Sequence, residues 1–352
     1  MTAVRSRRIA LLAAILLSQG LALVAAGQPG DAASNAGEVN IYSHRHYQSD
    51  DLLYDRFREL TGIRVNVVQG NVDELIARLQ REGSASPADL LFTVDAGRLV
   101  RAKELGLLQP VASAPLRGAA PGHLRDPDGY WYGLTRRARV IVYHRDRVDP
   151  SELSTYEALT EARWRGRVLI RSSSNIYNQS LLASIIASDG ATAAHDWAAG
   201  MVANMARTPS GGDTDQIKAV AAGEGDVAVV NTYYVGRLQA SDEAADRQVV
   251  ESIGVFFPNQ QRRGTHVNVS GGGVTATAKN LQNAIALLEF LVSVEAQGVY
   301  AGANHEYPVN PEVDAESVLA GWGSFRADDL GLHQLGERNA AAVRIFDEVG
   351  WR

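Results

Sequence analysis

The sequence predicts an α/β fold in two lobes, each a sheet wound with helices. Three observations predict it. Beyond an uncharged N-terminal run, residues 38–105 alternate strand and helix, the pattern of a parallel sheet covered by helices. A strand at 139–143 is long enough to cross between lobes, and the alternation restarts after it. At 352 residues, 45% hydrophobic and 21% charged, the chain has an ordinary globular composition and room for two domains of about 150 residues each.

In chain order, Arg5, Arg7 and Arg8 precede a charge-free run from Ile9 to Ala26 that ends in Val24-Ala25-Ala26 before Gly27. Residues 1–26 read as a signal peptide with small residues at the cleavage site. A membrane anchor is the competing reading, because the run is near the lower limit for spanning a bilayer. Ser18, Gln19 and Gly20 interrupt it and favour cleavage. Ser6-Arg7-Arg8 partly matches a twin-arginine signal but lacks its aromatic and its downstream lysine, so the Sec and twin-arginine routes both stay open. Residues 27–37 are small and polar, a short disordered lead-in.

Val39-Asn40-Ile41-Tyr42 alternates as a strand, and Ser43-His44-Arg45-His46-Tyr47 follows as a loop. A helix begins at Asp50-Asp51, with Leu53, Phe57 and Leu60 at helical spacing, and Thr61-Gly62 ends it. A strand at 64–68, a helix at 72–80, a strand at 87–92 and a helix at 96–105 follow. Ligands on such sheets sit beyond the carboxyl ends of the strands, where His46, Tyr47 and Asp95 fall. Residues 130–134 and 139–143 read as two strands. Then come a helix near 153–161, a strand at 167–170, the loop Ser172 to Asn178, and helices at 179–188, 191–204 and 214–222. Val227 to Val230 is a buried strand, and Asn231-Thr232-Tyr233-Tyr234-Val235-Gly236-Arg237 opens the next helix. A strand at 254–258, a glycine-rich return at 270–277, an amphipathic helix at 280–292 and a helical tail from 312 complete the chain.

The formal net charge of −6 grows more negative once the leader and its arginines are removed. An acidic exported chain is a poor partner for nucleic acid or anionic membranes. With no cysteine, thiolate metal sites, disulfides and a lipid-anchored N-terminal cysteine are excluded.

Tyr47, Tyr177, Tyr233 and Tyr234 stand at strand ends or in loops, with His46 beside the first. Each phenol alone has a structural reading, capping a sheet edge with its hydroxyl in water. His44, His123 and His144 are read as structural. Taken together the phenols suit ferric iron, a hard ion that favours anionic oxygen ligands. A free phenol near pKa 10 ligates poorly at neutral pH, but a bound cation drives the proton off. Four phenolates on a 3+ ion leave one net negative charge, and Arg237, one helical turn after Tyr234, is placed to offset it.

These residues carry a resemblance. The chain resembles the periplasmic ferric-iron-binding proteins of bacterial ABC transporters, the bacterial transferrins, and within them the subgroup with a His-Tyr pair after the first strand. The likeness rests on Ile41-Tyr42-Ser43-His44-Arg45-His46-Tyr47, Leu91-Phe92-Thr93-Val94-Asp95-Ala96-Gly97-Arg98, Arg171 to Ser180, Asn231-Thr232-Tyr233-Tyr234 and Glu306-Tyr307-Pro308-Val309. It implies a two-lobed type II periplasmic binding protein, a Venus flytrap with hinge crossovers, working as a monomer and delivering its cargo to an ABC permease. The first lobe is expected at 38–138 plus 273–315 and the second at 139–272 plus 316–352. It further implies His46 and Tyr47 as metal ligands from the first lobe and Tyr177, Tyr233 and Tyr234 from the second, with Arg237 as charge partner. Other branches use a first-lobe glutamate and a synergistic anion. Where that glutamate falls this chain has Asp95, inside a motif shared with the His-Tyr subgroup, so Asp95 is not read as a ligand, and the departure speaks against a required anion. A ferrous form with a different ligand subset stays open.

Two rival readings are carried forward. One is a binding protein of the same fold for a small organic or phosphorus-containing anion, using Arg237, Arg139 and the amides of Ser172 to Ser174. The other is an exported iron enzyme, which needs two histidines plus a carboxylate at close spacing. The sequence shows no such set, no nucleophile elbow and no phosphate-binding loop, and the chain is read as no enzyme.

Overall fold

The computed structural model describes residues 37–45 and 47–352. The leader, most of the lead-in and His46 lie outside the described residues. In chain order the strands are β1 (Glu38–Ser43), β2 (Arg64–Gln69), β3 (Leu90–Thr93), β4 (Tyr132–His144), β5 (Val168–Leu169), β6 (Val227–Asn231), β7 (Ile253–Phe256), β8 (Val267–Val274) and β9 (Tyr307–Pro308). They pair in the order β2-β1-β3-β8-β4-β6-β5, with β7 and β9 also on β4.

β1 runs parallel to β2 and β3, and β8 returns antiparallel beside β3. β4 is shared. Its N-terminal half pairs with β8 and β9, and its C-terminal half pairs with β6 and β7. Two sheets therefore hang on one crossing strand, and β8 runs beside the crossing.

The sequence reading split β4 into two strands because Thr135-Arg136-Arg137 interrupts the apolar pattern. The structure keeps it whole by burying Arg137, whose guanidinium donates to the Val94 carbonyl. The helix expected near 153–161 is instead a series of 3₁₀ turns, Pro150–Glu152, Glu157–Thr160 and Ala162–Trp164. Its buried residues Leu153, Tyr156 and Leu159 recur every third position, which suits a 3₁₀ period better than an α one.

A third difference bears on function. The helices expected at 179–188 and 191–204 form one run, Ile176–Asn204, broken at Gly190 by its positive φ of 86°. It starts early because the Asn175 side chain accepts from the Tyr177 N–H at 3.1 Å. Tyr177 thus sits in a helix's first turn rather than in a loop. Leu53 and Phe57 face the core as expected, whereas Leu60 is exposed in the last turn. Helices Ala244–Ser252 and Val294–Asn304 were not anticipated. The first buries none of its residues, and the second shows little amphipathicity. At the C-terminal end, helix His333–Glu337 packs on helix Ala96–Glu104, and helix Asn339–Val349 packs on Ile176–Asn204.

Candidate metal-binding site

Tyr47 is the residue before helix Gln48–Thr61, and Tyr177 is second in its helix. Tyr233 and Tyr234 are second and third in helix Thr232–Gln239, directly after β6. Every one of these phenols stands at a helix N-terminus, where free amides and the helix dipole favour negative charge. Asp213 helps seat the pair. Its buried Oδ2 accepts from the Asn231 N–H and from Arg139 Nη1, each at 2.8 Å.

The phenols converge. The hydroxyls of Tyr177 and Tyr233 are 3.1 Å apart. The Tyr47 ring stands edge-on to that of Tyr233 at 6.4 Å between centroids, and the Tyr233 and Tyr234 rings lie 4.2 Å apart. The Arg237 guanidinium lies 5.2 Å from the Tyr47 ring centroid and 5.3 Å from that of Tyr233. Tyr47, Tyr177, Tyr233, Tyr234 and Arg237 are thus brought together from separate segments; His46 is not described.

Burial dominates the acidity of these groups. Tyr47 and Tyr233 are 6% and 3% exposed, and loss of water raises both phenols well above their ordinary value. For Tyr47 the Glu306 carboxylate and the Tyr177 phenol add to this rise, against Arg45 and Arg137. Tyr177 is raised in the same way, chiefly by burial, and Arg137 opposes it. With nothing bound, these three phenols stay neutral.

The arginine floor beneath them was largely missed. Guanidinium carbons of Arg137, Arg139 and Arg171 lie 5.5, 5.9 and 5.7 Å from the Tyr177 ring centroid. Arg45 lies 5.0 Å from that of Tyr47. Arg45 is paired to Asp50 at 3.0 Å and Arg139 to Asp213 at 2.8 Å, so their charges are largely balanced. Arg137 keeps one terminal nitrogen without a hydrogen-bond partner among the described residues. Arg137, Arg139, Asn231, His266 and Asn268 enclose a gap behind Tyr177 too narrow for a water molecule. One signal was available: Arg137 and Arg139 are two apart in a strand and so share a face. Glu306 was quoted only as part of a resemblance, yet it is fully buried and accepts from Thr135 Oγ1 at 2.8 Å.

Asp95 is not part of the cluster. Its carboxylate accepts from the Gly97 N–H, Ser180 Oγ and Asn268 Nδ2. His144, read as structural, ends β4 and accepts from the Asp146 N–H at 3.2 Å.

Two sheets hinged on a shared strand, with phenols from both sides meeting between them, make up a two-lobed type II solute-binding protein. The chain belongs to the bacterial extracellular solute-binding protein family, whose model matches residues 53–326. It is 51% identical over 333 residues to iron uptake protein A2 of Synechocystis sp., covering 94% of this chain and 95% of that one. Among solved structures, FutA (IdiA) of Trichodesmium in complex with iron and citrate is 52% identical with a TM-score of 0.87, covering 90% of this chain and all of the other. The ferric binding protein of Campylobacter jejuni is 44% identical with a TM-score of 0.85, covering 89% of this chain and 100% of the other. The names of these relatives describe iron uptake and ferric binding, a non-enzymatic role.

Proposed function

We propose that this chain is an exported, monomeric carrier that captures ferric iron through Tyr47, Tyr177, Tyr233 and Tyr234 as tyrosinates, with His46 beside Tyr47. It delivers the iron to the permease of an ABC importer. One observation carries the reading: a phenol from the end of the first sheet stands edge-on to a phenol of the second, whose hydroxyl touches that of a third. The names of the relatives, an iron uptake protein and a ferric binding protein, support it. Residues 1–26 act as a cleaved signal peptide that sends the chain to the periplasm. The first lobe comprises 38–138 and 273–315, the second 139–272 and 316–352.

Charge favours the ferric state. A 3+ ion on four phenolates leaves one negative charge, which Arg237 faces; a 2+ ion leaves two. A ferrous complex would then use fewer phenolates and depend more on His46. Asp95 is held by three donors, which keeps it out of the ligand set, and four phenolates facing Arg237 need no synergistic anion to balance the charge. The Trichodesmium relative was solved with both iron and citrate, so the test separates metal from anion. Ferric iron is expected to raise the thermal midpoint of the metal-free protein, while citrate or phosphate alone leaves it unmoved. Stabilisation by phosphate or citrate without metal, and none by iron, would replace this reading with that of an anion carrier.

A further inference from the structure

We propose that Asp95 and Ser180, with the Arg98–Gln179 pair beside them, form a latch that ties the helical turn carrying Tyr177 to the first lobe. Closing the lobes and assembling the metal site are then one event. The inference rests on the phenols being ligands and adds residues that position rather than ligate.

Asp95 lies two residues beyond the end of β3, in the first sheet, and is 1% exposed. Oδ1 accepts from the Gly97 N–H at 2.8 Å and caps the helix that follows. Oδ2 accepts from Ser180 Oγ, on the helix that carries Tyr177, at 2.6 Å, while also taking Asn268 Nδ2 of β8 at 2.8 Å. Ser180 lies one helical turn beyond Tyr177. Next to it, Gln179 Oε1 accepts from Arg98 at 3.2 Å, and Arg98 is held in turn by Asp73 at 3.2 Å. The turn that presents Tyr177 to Tyr233 is therefore bonded to the first lobe by side chains other than the phenols. A hydrogen bond to a carboxylate kept out of water is among the stronger kinds, and opening the lobes breaks this one.

The test exploits the absence of cysteine. Spin labels at Leu60→Cys and Asp196→Cys, both exposed positions, report the distance between the lobes in the mature, metal-free chain. Ser180→Ala is expected to move the population from a short to a long distance. It should also speed iron release to a chelator by about tenfold to a hundredfold, the weight of one charge-assisted bond. The visible band of the iron-loaded variant should stay where it is. Ser184→Ala, on the same helix but bonded to the Leu181 carbonyl and to Arg263, with no bond to Asp95, should change neither reading. Asp95→Asn provides a second variant with the same expected direction. Distances and release rates equal to wild type in both latch variants would overturn the proposal. A distance shift with unchanged release would overturn the coupling to the metal. Because the distance is read without iron, the latch stands or falls even if the protein binds none.

Discussion

Phenylalanine at both Tyr233 and Tyr234 is expected to abolish the visible colour of the iron-loaded protein and to weaken ferric binding by at least about a thousandfold. Even residues that only orient metal ligands cost about 10- to 100-fold in affinity when changed. Two anionic ligands lost together must cost more. The rings stay, so packing is kept: Tyr233 is buried, and its ring keeps the Tyr47 and Tyr234 rings and the Arg237 guanidinium beside it. What disappears is the hydroxyl that Tyr177 contacts at 3.1 Å, a change worth about 1–3 kcal/mol and not enough to unfold a domain. A competition titration of ferric iron, with circular dichroism to check the fold, measures this. Retained colour with near-native affinity in the double variant would remove the pair from the site.

Ferric affinity is expected to fall steeply as pH drops. Burial raises the phenols of Tyr47, Tyr233 and Tyr177 above their ordinary value, so the metal-free site holds them protonated throughout the neutral range. Iron binding converts ligating phenols to phenolates and releases their protons. The free form carries the protons and the bound form does not, so affinity rises with pH. It rises by about tenfold per pH unit for each phenol that ionises. The nearby arginines lower the cost of ionisation without reversing the sign. Log affinity plotted against pH between about 5.5 and 7.5, corrected for the competing chelator's own protons, should have a slope of at least about two. A flat line would mean that neutral phenols or other groups hold the metal.

Much of the site was legible because its signals are local. An apolar run ending in Asn231-Thr232-Tyr233-Tyr234 reads as a strand delivering phenols to a helix start, and β6 with its following helix does this. The loop after β1 placed Tyr47 in the same way. What escaped depends on distant partners. Arg137 in mid-strand looked like a break, and only the Val94 carbonyl and the Tyr177 ring make it a buried residue. Arg139 needs Asp213, 74 positions away, before its charge can be buried. The early start of the Tyr177 helix turned on one Asn175 cap, easily mistaken for loop chemistry. Asp95 was set aside as a ligand, and its bond to Ser180, 85 residues on, had no local signal.

The measurement closest to the central claim uses protein isolated from its own host, with metal content, oxidation state and visible spectrum read on one sample. The expected result is one iron per chain, ferric, with a phenolate-to-iron charge-transfer band. Iron-free protein that cannot be loaded, or bound iron with no phenolate band, would contradict it.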